Sequence, residues 1–179
     1  MRNKLLLTFV LLIGAATSAY GIQTDTEWVK FTSPKGLFSL LAPHELKLDT
    51  DNQSTTESVT HSRFNDFEGS YGFVIEYFEN LTVSDPEKYL EGTRDGIVKA
   101  INGTLVGANK ISLDGHPGRE ITMSITTENG AIVISQTRIY LVGTSMFSVS
   151  YVWRKDMDQA TAAKIGERFF ASLKIKPHE

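Results

Sequence analysis

Four side chains suited to acid–base and anion chemistry fall close together in this chain: Asp114, His116, Arg119 and Glu120. Imidazole titrates near neutrality and guanidinium orients an anion. Gathered in one hairpin, the set could do general acid–base work or grip a charged partner. The same stretch also has a purely structural reading. Asp114-Gly115 and Pro117-Gly118 are turn formers, and Arg119 and Glu120 can pair across strands. A second pair, Arg138 and Tyr140, stands on one face of one strand. Arg and Tyr carry much of the energy of protein contacts, although a cross-strand structural pair would use the same residues. The candidate binding residues are therefore His116, Arg119, Glu120, Arg138 and Tyr140. None is assigned a catalytic role. Glu76, set among apolar neighbours, is expected to pair with a cross-strand Lys or Arg.

Other chemistries find little support. The histidines are His44, His61, His116 and His178, and none has a second ligand at a recognised metal spacing. There is no glycine-rich phosphate loop and no Gly-x-Ser-x-Gly elbow. The chain has no cysteine, which removes disulfides, thiol catalysis and a lipid-anchored cysteine together. No cofactor or metal is expected. The sequons at Asn52, Asn80 and Asn102 would matter only in a eukaryotic secretory pathway.

The frame that must position these residues is Ile111 to Trp153. It reads as four antiparallel strands separated by turns at Asp114–Gly118, Asn129-Gly130 and Gly143–Ser145. Asn-Gly between apolar runs signals a two-residue hairpin with positive φ at both central positions. Alternation places Phe147, Val149, Tyr151 and Trp153 on a core face, with Ser148 and Ser150 nearer solvent. Ile121, Met123 and Ile125 alternate with Thr122, Ser124 and Thr126. The expectation is a sheet with one buried and one wet face, with Ala131–Val142 as an interior strand.

Upstream, Trp28–Thr32 and Leu37–Leu41 read as strands around a Ser33–Gly36 turn, and Gly69–Phe78 as a further strand. The first part of Thr50–Ser62 reads as a polar loop. Ser84 or Asp85 caps a helix that begins at Pro86 and ends at Asn102-Gly103. Gly92 and Gly96 share one face of it and suggest close packing on the sheet, or a ligand held there. A last helix carries the stripe Ala162, Ile165, Phe169 and Leu173, which should lie on the aromatic face, with Gly166 allowing close approach. Lys174, Lys176 and Pro177 read as a tail. Consecutive strands with segregated helices make this an α+β chain.

Residues 1–19 have the anatomy of a secretory signal: Arg2 and Lys4, then the 12-residue apolar run Leu5–Ala16, then small residues. That run is short for a span of about 20 residues. Cleavage is expected after Ala19, or else after Gly21. Residues 20–179 would then form one domain, periplasmic or secreted, without a stable membrane anchor. The whole chain has 18 basic and 21 acidic residues; loss of the signal leaves 16 basic. The basic residues are scattered, which gives no footprint for nucleic acid or anionic lipid.

The stretches WVKFTSPKGLFSLLAP (Trp28–Pro43), ISLDGHPGRE (Ile111–Glu120), RIYLVGTSMF (Arg138–Phe147) and FFASL (Phe169–Leu173) carry a resemblance. The chain resembles exported bacterial proteins of the PsbP-like and DcrB-like superfamily. That resemblance implies an α-β-α sandwich around a central antiparallel sheet, and relatives that act mainly as non-catalytic partners. It supplies no catalytic residues. The resulting expectation is a non-enzymatic extracytoplasmic binding module whose partner is an envelope or secreted protein. The alternatives are a small-molecule or lipid carrier, with its ligand between the sheet and the glycine-bearing helix, and a hydrolase of unknown substrate.

Overall fold

The computed structural model describes residues 27–50, 53–55 and 59–176. The stretch read as an export signal, the Asn52 sequon, Pro177 and His178 lie outside them. Among the described residues, two sheets and two helices form the fold. The strands are β1 (Val29–Thr32), β2 (Phe38–Ala42), β3 (Lys47–Leu48), β4 (Ser54–Thr55), β5 (Thr60–Glu68) and β6 (Tyr71–Glu79). Helix α1 (Pro86–Ala100) follows, then β7 (Thr104–Leu113), β8 (His116–Thr126), β9 (Ile132–Val142) and β10 (Ser145–Arg154). Helix α2 (Gln159–Ala171) and β11 (Lys174–Ile175) complete the order.

The large sheet runs β3-β5-β6-β10-β9-β8-β7, with β4 also paired to β5, and all its pairings are antiparallel. Short turns enforce this. Asp114 and Gly115 take φ of 51° and 84°, the paired positive angles of a type I′ turn. At Asn129-Gly130 only Gly130 is positive, and its N–H donates to the Thr127 carbonyl at 2.9 Å. That loop is thus longer than the two-residue turn expected. Pro117 and Gly118 belong to β8, beyond the turn.

On one side of the large sheet lie α2 and the small sheet β1-β2-β11. The aromatic faces of β6 and β10 meet them in one core that includes Phe38, Phe73, Tyr77, Phe147, Tyr151, Phe169 and Phe170. Gly166 brings α2 down onto Tyr151, where an added Cβ would stand 3.1 Å from the ring, as the sequence suggested. Lys174 and Ile175 are not a free tail. They pair with Ser39 and Phe38, and the Lys176 N–H donates to the Leu37 carbonyl at 2.8 Å. This ladder is set by long-range contact, not local propensity.

Helix α1 covers the other side over β8 and β9, burying Leu90 and Ile97 against Ile121, Met123, Ile125 and Ile139. Asp85 caps it by accepting the Lys88 N–H at 3.1 Å, and Asn102, at φ 50°, ends it. The expectation of one wet face fails at the centre of the sheet. Ser148 and Ser150 are only 3% exposed. Thr137 and Ser150 meet at 2.9 Å, and Ser135 and Thr137 at 3.4 Å, so buried hydroxyls satisfy one another. The glycine expectation fails as well. Gly92 and Gly96 are exposed, and a Cβ on either would meet nothing within 4 Å. Of the stretch Thr50–Ser62 read as a polar loop in its first part, residues 51–52 and 56–58 lie outside the described residues; Ser54–Thr55 form β4 and β5 begins at Thr60.

Candidate functional site

Strand alternation separates the residues that the sequence places side by side. Arg119 and Glu120 are chain neighbours, so they face opposite sides of the sheet. Glu120 lies directly across from Arg138, and Gly118 directly across from Tyr140. Glu120, Arg138 and Tyr140 therefore share the α2 side. The Arg138 Nε–H donates to Glu120 Oε2 at 2.7 Å. Its guanidinium lies 4.5 Å from the centroid of Phe170 at the end of α2, a cation–π contact. Arg138 remains 30% exposed at the side chain.

Tyr140 is buried beside this pair. Burial pushes its phenol above the usual tyrosine range, while the Arg138 charge and hydrogen bond pull it back in part. Gly118 makes the arrangement possible. A Cβ there would stand 2.7 Å from Tyr140 Cδ1 and overlap the Ile139 carbonyl oxygen. His116, half-buried, opens β8 beside the Asp114-Gly115 turn. By alternation it shares the face of Gly118 and Glu120.

Arg119 does a different job under α1. Its side chain is 3% exposed. Nε donates to Glu91 Oε1 at 3.0 Å, Nη2 to Glu87 Oε2 at 2.5 Å and Nη1 to the Gly118 carbonyl at 2.9 Å. Lys110 Nζ also reaches Glu87, at 2.8 Å. Hydrogen bonds from Lys110 and Arg119 hold the Glu87 carboxyl below its ordinary range. The guanidinium fastens the first turns of α1 to β8, with each of its three nitrogens donating a hydrogen bond.

Two polar groupings escaped the sequence. His44 bridges two carboxylates, with Nδ1 3.1 Å from Asp66 and Nε2 2.8 Å from Glu68. His61 stacks on Phe78 at 4.3 Å, and its Nε2 lies 3.5 Å from Glu76 Oε1. Arg63 is the cross-strand neighbour of Glu76 in the ladder, and its Nε lies 3.6 Å from Asp49 Oδ2. The available signal was the i, i+2 spacing of His61 and Arg63 with the Gly69 turn before β6. Charged residues along β5 masked its strand character. Among the described residues, no group of three His, Asp or Glu is arranged to hold a metal ion, and no helix is long and apolar enough to cross a membrane. A cavity of about 320 Å³ lies between Ala131, Ile132, Arg154, Lys155 and Asp156, where Arg154 and Asp156 pair at 2.5 Å. The α1 face that carries Gly92 and Gly96 is open.

No family model matches the sequence, and no curated protein matches it. Solved structures do. Cyanobacterial PsbP (CyanoP) from Synechocystis sp. PCC 6803 aligns with TM-score 0.58 at 11% identity, covering 89% of this chain and 99% of that one. The Ran-binding protein Mog1p of Saccharomyces cerevisiae aligns with TM-score 0.53 at 7% identity, covering 86% and 97%. LpqN of Mycobacterium tuberculosis, involved in cell envelope biogenesis, aligns with TM-score 0.53 at 12% identity, covering 84% and 91%. At such identities the likeness is one of fold. The chain has a PsbP-like α+β fold, with a central antiparallel sheet between α1 on one side and α2 with the small sheet on the other.

Proposed function

We propose that this protein is a non-enzymatic, exported binding module that contacts an envelope or secreted protein through the patch formed by Glu120, Arg138, Tyr140 and Phe170. The observation that carries this reading is the Arg138 guanidinium, seated on Phe170 and anchored by Glu120 while still 30% exposed. Stacking and one fixed hydrogen bond remove most of the freedom an arginine loses on binding, and leave part of the fork facing outward. Arg beside a buried aromatic is the composition of an interface hot spot. The names of two structural neighbours, a Ran-binding protein and a protein involved in cell envelope biogenesis, are compatible with an interaction module on this fold.

The test is in-cell crosslinking of the tagged chain, followed by capture and quantification of what is bound. Arg138→Ala should lower recovery of a specific partner by about 30-fold or more, the scale of a hot-spot loss of about 2 kcal/mol. Arg138→Lys keeps the charge and loses the planar fork, and should rescue only weakly. Recovery unchanged in Arg138→Ala, with the fold intact by circular dichroism, would remove the patch from the reading.

A further inference from the structure

We infer that the outer edge of β7 is a self-association site, where a second copy of this chain adds antiparallel and continues the sheet. The two ends of the large sheet are treated differently. At the far end, β5 is covered by the two-residue strands β3 and β4. At the near end, the ten-residue β7 pairs with β8 on one side, and among the described residues nothing pairs with its other side. A long unpaired edge presents a row of backbone donors and acceptors to another strand. The register slips between Leu105 and Gly107, which leaves Val106 as the extra residue of a bulge and 64% exposed. From Gly107 to Leu113 the ladder is regular. Pairing of a new strand is therefore confined to that stretch.

Charge selects the occupant. The chain carries a formal net charge of −3, so two copies repel weakly on average. The β7 edge is locally neutral. Lys110 is its charged residue, and Glu87 of α1 neutralises it at 2.8 Å. Both side chains of that pair are exposed, at 73% and 54%. A two-fold copy can thus approach without net repulsion and exchange Lys110–Glu87 contacts with its mate. An axis perpendicular to the sheet requires directly opposed residues to share a face. Centring on Asn109 satisfies this: Asn109 meets Asn109, and Lys110 meets Ala108. Centring on Lys110 would oppose two ammonium groups. Five paired residues a side, Gly107–Ile111, make a contact smaller than a standard interface of about 1,600 Å², so the dimer should be concentration-dependent.

The experiment is sedimentation velocity on the protein purified from the compartment to which it is delivered, from about 10 μM to about 1 mM, the range of a weak small interface. Wild type should pass from monomer to dimer. Ala108→Lys sets like charges across the new ladder and should raise the dissociation constant about tenfold or more, whereas Ala108→Glu, facing Lys110, should lower it. Because the chain lacks cysteine, Asn109→Cys introduces a unique thiol that should oxidise to a disulfide-linked dimer. A monomer at every concentration overturns the proposal. So does a dimer indifferent to Ala108→Lys in which Asn109→Cys stays reduced. A β7 edge that is occupied only by an extended segment of another protein overturns it too.

Discussion

Arg119 and Glu120 are adjacent in the chain and serve opposite sides of the sheet: Arg119 ties α1 to β8 through Glu87 and Glu91, and Glu120 holds Arg138 under Phe170. A stretch that reads as one catalytic-looking cluster is thereby divided into a structural clamp and a candidate contact patch. The division follows from the period-2 alternation of a strand and from nothing specific to these residues.

The clamp should give acid sensitivity. Hydrogen bonds from Lys110 and Arg119 lower the Glu87 carboxyl in the folded state. A depressed carboxylate contributes stability that is present above its unfolded pKa and lost as pH falls through the folded value. Glu87→Gln should therefore flatten the acid limb of the stability curve below the ordinary carboxylate range. Urea midpoints measured from pH 7 downward check this, and parallel wild-type and variant curves would contradict it.

Glycines should sort by what surrounds them. At Gly118 a methyl group would run into the Ile139 carbonyl and the Tyr140 ring, so Gly118→Ala should cost about 2–3 kcal/mol through overpacking of the sheet. Gly92 and Gly96 face open space on α1, so Ala at either should stabilise by about 0.5–1 kcal/mol. Denaturant unfolding of the three variants decides the matter by sign alone.

At high pH the tyrosines should limit stability. Burial pushes the Tyr77 phenol up to about 12, with Ser145 hydrogen bonding opposing it and Glu79 adding to the rise, and burial pushes Tyr151 higher still. A raised folded pKa means the stabilisation is complete below the unfolded value near 10 and is lost as pH rises through the folded one. Ultraviolet titration should show the half-buried phenols of Tyr71 and Tyr89 ionising before those of Tyr77 and Tyr151, with the last phenolate signal appearing together with alkaline unfolding. Tyr77→Phe should move that unfolding to higher pH.

Buried hydroxyls should behave as a coupled pair. Thr137→Val leaves Ser150 without its 2.9 Å partner and should cost about 1–3 kcal/mol. Adding Ser150→Ala should cost less than it does alone. A double-mutant cycle on unfolding free energies measures the coupling, and simple additivity would show that the hydroxyls are satisfied elsewhere.

The sequence by itself determined the elements whose signals are local. Asp114-Gly115 specifies a turn because few residues accept positive φ. Asp85-Pro86 opens α1 because a capping carboxylate and a proline fit a helix start. The alternation of Phe147, Val149, Tyr151 and Trp153 marks a core face because one side of a strand must leave water. The α+β class and the seat of α2 on that face follow from such patterns. Tertiary structure decided whatever depends on what lies across a gap. Ser148 and Ser150 read as solvent-facing until their sheet face is closed and Thr137 is brought to Ser150. β5 is hidden in the sequence because Arg63 and His61 look solvated, and only β6 brings Glu76 to meet them. Lys174-Ile175 becomes a strand only because β2 is there to pair with it. The candidate patch is of the same kind. Arg138 and Tyr140 were legible as a pair on one face, but Phe170, thirty-odd positions away, reached Arg138 only through the packing of α2, since a side-chain stack across two elements leaves no periodic trace in the chain.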